Sequence, residues 1–255
     1  MTADTWATVA DLGTALGTLI LAVATFSAVR SGNRTARAAE QSLLTSLRPL
    51  LMPSKLSDDP LKVNFGDDKW LVVPGGSAVA QIGGGNGTQG PADGVIYLSL
   101  SLRNVGNGIA VLHGWRLSPS QVLTGADAMP PLSEFQMQTR DMYIPVDDTG
   151  FWQGAIRDPA DPRQAPARKF IESRDGWVVD LLYGDHDGGQ RAISRFRCQH
   201  RLAVDGRPSG GDGGQAGGGD AGHQTDGPGV WLATVVRHWT IDRPDPRLAD
   251  RPPRQ

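Results

Sequence analysis

The chain has 255 residues, with 25 Lys and Arg against 27 Asp and Glu, and 39% of it is hydrophobic. That length can hold a sizeable core, and the near-neutral balance argues against a nucleic-acid partner, which needs a basic excess. Cys198 is the one cysteine, which excludes an intramolecular disulfide and is compatible with a reducing compartment.

The first element is an apolar helix over residues 6–29. Residues 8–29 read TVADLGTALGTLILAVATFSAV and are apolar or small apart from Asp11. About 20 such residues cross a hydrocarbon core of about 30 Å. Leu16, Leu19, Ile20, Leu21, Val23 and Phe26 cover most of the circumference, where an amphipathic soluble helix would keep a polar stripe. Trp6 stands where an interfacial aromatic anchor belongs. A cleaved signal peptide would need a basic n-region, and this chain has Asp4 there instead. Arg30, Arg34 and Arg37 follow the apolar run. By the positive-inside rule the helix is a single-pass anchor in the cell membrane, with the N-terminus outside and the C-terminal domain cytoplasmic.

Gly13 and Gly17 have the GxxxG spacing that lets two helices approach in lipid, so a homodimer through this helix is a further expectation. Residues 34–47, RTARAAEQSLLTSL, continue the helix with Ala36, Ala39, Leu43, Leu47 and Leu50 on one stripe. That stripe docks on the chain's own domain or continues a dimer as a short coiled coil. Pro49 and Pro53 end it.

From residue 49 the period changes to two. Residues 95–103, VIYLSLSLR, alternate as a half-buried antiparallel strand, and a turn with Asn104, Gly106, Asn107 and Gly108 leads to a strand over 108–117. WVVDLLY at 177–183 and the run 191–204 form a hairpin around GDHDGGQ, and VWLATVVRHWTI at 230–241 is a last strand. Shorter candidates are 69–73, 151–156 and 170–171, with a turn near 132–138. The predicted class is mainly β, an antiparallel β-sandwich behind a long N-terminal helix. The predicted domains are the helix over 1–48, the sandwich over 49–242 and a disordered tail over 243–255. Gly-rich loops are expected at 74–94 and 206–229, and the second lacks the nonapeptide period of a calcium-binding repeat.

Asp185, His186 and Asp187 stand together and are the one candidate cluster for a ligand or metal. Asp and Gly at a hairpin tip also satisfy turn geometry by themselves, and no second ligand set has metal spacing. Cys198 and His200 share a strand face with Phe196 and Leu202, so Cys198 reads as a small buried hydrophobe. The arginines on the opposite face read as a solvated surface, with anionic headgroups as an alternative partner. No nucleophile elbow, P-loop, zinc-protease motif or dinucleotide fingerprint is present, and nothing calls for a cofactor.

LRNVGNGIA at 102–110, the pair Arg48–Pro49 and the hairpin YGDHDGGQRAISRF at 183–196 resemble a group of uncharacterised actinobacterial single-pass membrane proteins. The resemblance implies an N-terminal helix and a C-terminal β-sandwich, and it implies no activity. The sequence thus predicts a non-catalytic binding or sensing module whose neighbours are the lipid bilayer and a protein partner not readable from sequence. Two alternatives stand beside it. One is a membrane-associated hydrolase using the Asp185–His186–Asp187 tip with His200 or His238. The other is an exported envelope protein that keeps its anchor.

Overall fold

The computed structural model describes residues 3–66, 69–83, 94–119, 128–200 and 229–243. The chain divides into two compact units, Met1–Leu47 and Arg48–Gln255.

The first unit is one helix, α1, Ala3–Ser46. Its stretch Leu12–Glu40 is long and apolar enough to cross a membrane, and none of it is buried. Leu16, Leu19, Ile20, Leu21 and Phe26 are all exposed. Three hydroxyls within this run turn back on their own helix. Thr18 Oγ1 donates to the Thr14 carbonyl at 2.8 Å, Thr25 Oγ1 to Leu21 at 2.8 Å and Ser27 Oγ to Ala24 at 2.9 Å. A hydroxyl satisfied in this way needs no partner from its surroundings.

The second unit is mainly β. Its strands are β1 Leu51–Pro53, β2 Leu61–Asn64, β3 Trp70–Val73, β4 Ser77–Ile82, β5 Ile96–Asn104, β6 Ala110–Pro119, β7 Gln136–Ile144, β8 Thr149–Ile156, β9 Trp177–Gly184, β10 Arg191–His200 and β11 Gly229–Thr240. A helix, α2, covers Gln164–Glu172. Nine strands make one antiparallel sheet that runs β7-β6-β9-β10-β11-β4-β5-β8, and β1 extends β4's side of β5. The sheet is curled like a sandwich, because side chains from its far ends meet: Trp115 on β6 and Trp152 on β8 stand edge to face at 5.4 Å. Inside the curl, Leu98, Leu100, Leu112, Trp177, Val179, Leu181, Phe196 and Trp231 form one core. The β2–β3 hairpin covers the outer face of β4, β5 and β8 through Val63, Phe65, Leu71 and Val73.

The corner between β5 and β6 depends on Asn104, which is fully buried. Its Oδ1 accepts from Leu50 N at 3.2 Å and Gly106 N at 3.1 Å, and its Nδ2 donates to the Gly108 carbonyl at 2.6 Å and the Ile144 carbonyl at 3.1 Å. One side chain therefore ties the entry to β1, the β5–β6 turn and the end of β7.

Several elements differ from the sequence reading. Residues 170–171 are no strand; they close α2, whose Gln164, Ala167 and Phe170 are buried at a helical spacing of three. Phe170 stacks on Trp177 at 5.5 Å. The first Gly-rich segment, 74–94, contains β4, a strand paired on both sides by β5 and β11. The turn near 132–138 is a short 3-10 turn, Leu132–Glu134, followed directly by β7. The face of β10 opposite Cys198 is not solvated at Arg195. Loop residue Phe135 joins Leu182, Ile193 and Trp239 in a second small core on that side, and Arg195 is buried there with Asp180. The second Gly-rich loop up to residue 228, the residues after His200 and the tail from 244 lie outside the described residues.

Candidate functional site

The Asp185–His186–Asp187 cluster sits in the β9–β10 connection. Asp185 is buried, its Oδ1 accepts from Gln190 N at 3.0 Å, and its carbonyl accepts from Gly188 N at 3.3 Å. Gly188 has φ +73°, a conformation glycine adopts without strain. Asp185 thus closes the turn from within. His186 and Asp187 face each other at 3.3 Å with side chains 54% and 70% exposed. Among the described residues no group of three His, Cys, Asp or Glu is arranged to hold a metal.

His200 and His238, the partners considered for that tip, are engaged elsewhere. His200 meets the Trp231 ring edge to face at 5.7 Å. Burial and the Arg174 charge lower its pKa. His238 Nδ1 lies 3.1 Å from Ser194 Oγ and 3.3 Å from the Tyr183 hydroxyl. A Ser–His contact suggests a nucleophile, but Ser194 is fully buried and no substrate carbonyl reaches it. Cys198 is fully buried as well, and desolvation pushes its thiol pKa far up, away from thiolate. Gly13 and Gly17 lie one turn apart on α1, and among the described residues nothing beyond the adjoining helix backbone comes within 4 Å of where a side chain would start at either.

The Tyr183 cluster is structural. Its hydroxyl accepts from Leu51 N at 3.2 Å and lies 2.9 Å from Ser194 Oγ, which joins β1 to β9 and β10. Desolvation raises its pKa from 10.0 to about 12. The folded chain therefore keeps the phenol proton to higher pH than the unfolded chain. The resulting stability is complete below pH 10 and is lost as pH rises through 12, about 3 kcal/mol at roughly 1.4 kcal/mol per unit. Urea unfolding measured from pH 9 to 12 should show this fall, and Tyr183→Phe should flatten it. An equally steep fall in the variant would assign the alkaline loss to other groups.

A cleft with room for a ligand lies elsewhere, between β7 and β8, the two ends of the curled sheet. A cleft of about 450 Å³ opens there, lined by Trp115 of β6, Gln136–Arg140 and Met142 of β7, Gln153–Ala155 of β8, Arg157, and Asn64–Gly66 at the end of β2. That volume falls within the range of small-molecule and peptide sites, roughly 300–1,000 Å³.

A large bulge shapes it. On the β6–β7 ladder Leu112 faces Met142 and Gly114 faces Met137, so Gln138, Thr139, Arg140 and Asp141 together oppose His113. Extra residues on one strand leave the ladder and re-aim their side chains. Here Gln138, Thr139 and Arg140 line the cleft. Gly114 lets the strands approach at this point, since a Cβ there would come within 2.9 Å of the Gln136 carbonyl. Gly154 does the same for the floor, where a Cβ would meet the Trp152 ring at 2.7 Å and the Trp115 ring at 3.2 Å.

Amides and guanidinium groups bridge the cleft. Gln138 Nε2 donates to the Gln153 carbonyl at 3.2 Å. With its amide oriented to satisfy both ends, Gln153 donates to the Asn64 carbonyl and accepts from Arg140, each at 3.1 Å. Arg157 donates to the Phe65 carbonyl at 3.1 Å. Gln136 Oε1 is buried and has no hydrogen-bond partner among the described residues. Sequence reasoning missed this site. QMQTRDMYI carries no alternation because the bulge shifts its phase. The Met137–Met142 separation of five was the available signal of an irregular strand.

No family model, curated protein or solved structure matches this chain.

Proposed function

We propose that the chain is a membrane-anchored binding module, non-catalytic, whose ligand site is the cleft between β7 and β8. The observation that carries the binding half is the bulge at Gln138–Asp141. It departs from a regular ladder to put polar side chains around an open volume, an arrangement that occurs next to functional sites. The anchoring half is supported by the exposed apolar circumference of α1 and by its self-satisfied hydroxyls. In this reading Arg30, Arg34 and Arg37 lie at the cytoplasmic headgroups, the N-terminus is outside and the domain from Arg48 on faces the cytoplasm. Gly13 and Gly17 remain open to a second copy of the helix, which would present two domains side by side.

Alkaline carbonate extraction tests the anchor. The full chain should stay in the membrane pellet, and a chain beginning at Arg48 should move to the supernatant. Release of the full chain would remove the anchor from the account. An envelope protein with a retained anchor would pass this test and fail the topology measurement given below.

A further inference from the structure

Among the described residues β7 and β8 each pair along one edge only, and this bears on the shape of ligand the cleft fits; it deepens the reading of the cleft as a ligand site and rests on it. β8 pairs with β5 along one edge, Ile96↔Ile156 through Arg103↔Thr149, and its other edge faces the cleft. The Gln153 carbonyl points into the cleft, since it accepts from Gln138 there. Backbone groups alternate between the two edges of a strand, so Phe151 and Ala155 present theirs on the same side as Gln153. β7 pairs with β6 on its far side, and at Gln138–Asp141 it leaves even that ladder.

The Gln138 carboxamide offers the Gln153 carbonyl the same N–H that a peptide strand would. The charge in the cleft selects among strands. Arg140 and Arg157 line it, and no Asp or Glu does so among the described residues. Asp67 and Asp68 lie outside the described residues.

We propose that the cleft takes an extended acidic peptide from a partner protein, added as a strand to the cleft-facing edge of β8. Main-chain hydrogen bonds to Phe151, Gln153 and Ala155 hold it, displacing the Gln138 amide, and alternate acidic side chains meet Arg140 and Arg157. This is strand addition, in which the backbone supplies affinity and alternate side chains supply specificity.

The test uses the detergent-solubilised full chain and a phage library of random decapeptides as the probe. Selected peptides, remade synthetically, are measured by fluorescence anisotropy against the wild type, Arg140→Glu and Ala155→Pro. Proline at 155 removes an N–H from the cleft edge and leaves the β5 ladder intact. The expected result is an excess of Asp and Glu at alternate positions. Binding should weaken roughly tenfold or more in each variant and on N-methylating alternate peptide amides, as strand addition requires. Circular dichroism checks the fold, and if Ala155→Pro fails it, Arg140→Glu and the N-methylated peptides decide. Selection without acidic excess, or full-strength binding by the N-methylated peptides or the variants, overturns the proposal. Free glutarate binding as tightly as the peptides, and lost in Arg140→Glu, overturns the peptide while the ligand-site reading stands.

Discussion

Replacing Asp180 with Ala should cost about 3–5 kcal/mol of folding stability, the usual penalty for leaving a buried charge without its partner. The Asp180 side chain is fully buried, and that of Arg195 is 5% exposed. Arg195 reaches both carboxylate oxygens, Nε at 2.6 Å and Nη2 at 2.9 Å, and its guanidinium lies 4.9 Å over the Trp239 ring. Arg116 adds a third bond at 2.9 Å and holds Glu134 at 2.6 Å with its Nε. Without Asp180, Arg116 keeps Glu134, while Arg195 loses both of its bonds to the Asp180 carboxylate. Domains are stable by about 5–15 kcal/mol, so the loss takes a large share. The measurement is urea unfolding of the detergent-solubilised chain followed by tryptophan fluorescence. The double variant Asp180→Leu with Arg195→Met should recover most of the loss, because apolar replacement of a whole buried pair is often neutral. A single-variant cost under about 1 kcal/mol would mean that water reaches the network.

Asn104→Ala should be of similar size, about 3–5 kcal/mol, for a different reason. No charge is exposed to an apolar core; four backbone groups lose their partner at once. Each buried group left unsatisfied costs about 1–3 kcal/mol, and Leu50 N and Gly106 N, being partly accessible, recover some of that from water. The same unfolding experiment reads it. Asn104→Asp separates geometry from simple volume. It keeps the acceptor side and loses both donations, to the Gly108 and Ile144 carbonyls, so it should be nearly as damaging as alanine. A near-neutral Asn104→Asp would show that the corner does not depend on these bonds.

Asn104 also shows how the sequence and the structure divide the information. LRNVGNGIA was legible as a strand followed by a tight connection, because Asn and Gly carry turn chemistry locally. The four partners of Asn104 come from residues 50, 106, 108 and 144, and two of these are distant in sequence. The same contrast runs through the fold. Helix α1 could be read because an unbroken apolar run needs no tertiary context, and β5, β9 and β11 could be read because their alternation is regular. β4 was hidden between Gly76 and Gly83, where SAVAQI is too short and too uniformly apolar to separate from a loop. In α2 the three buried positions are Gln164, Ala167 and Phe170, which give little apolar signal. Asp180 sits on the outward-facing side of β9 by period, and only the second small core makes that side buried.

The cleft was the least legible part. Asn64, Trp115, Gln138, Gln153 and Arg157 come from five separate stretches, brought together by the curl of the sheet. The candidates that sequence did offer were clusters along the chain, and Asp185 turned out to spend its carboxylate on closing the β9–β10 turn. The Cys198 reading agrees with its full burial, since its strand partners Phe196 and Ala233 share the same core.

The central claim is an anchored domain on the cytoplasmic side, and protease protection tests it most directly. In inverted membrane vesicles the domain from Arg48 on should be digested, leaving a membrane-held fragment the size of α1; in right-side-out vesicles it should be protected until detergent is added. Digestion in right-side-out vesicles, with protection in inverted ones, would place the domain outside and contradict the account.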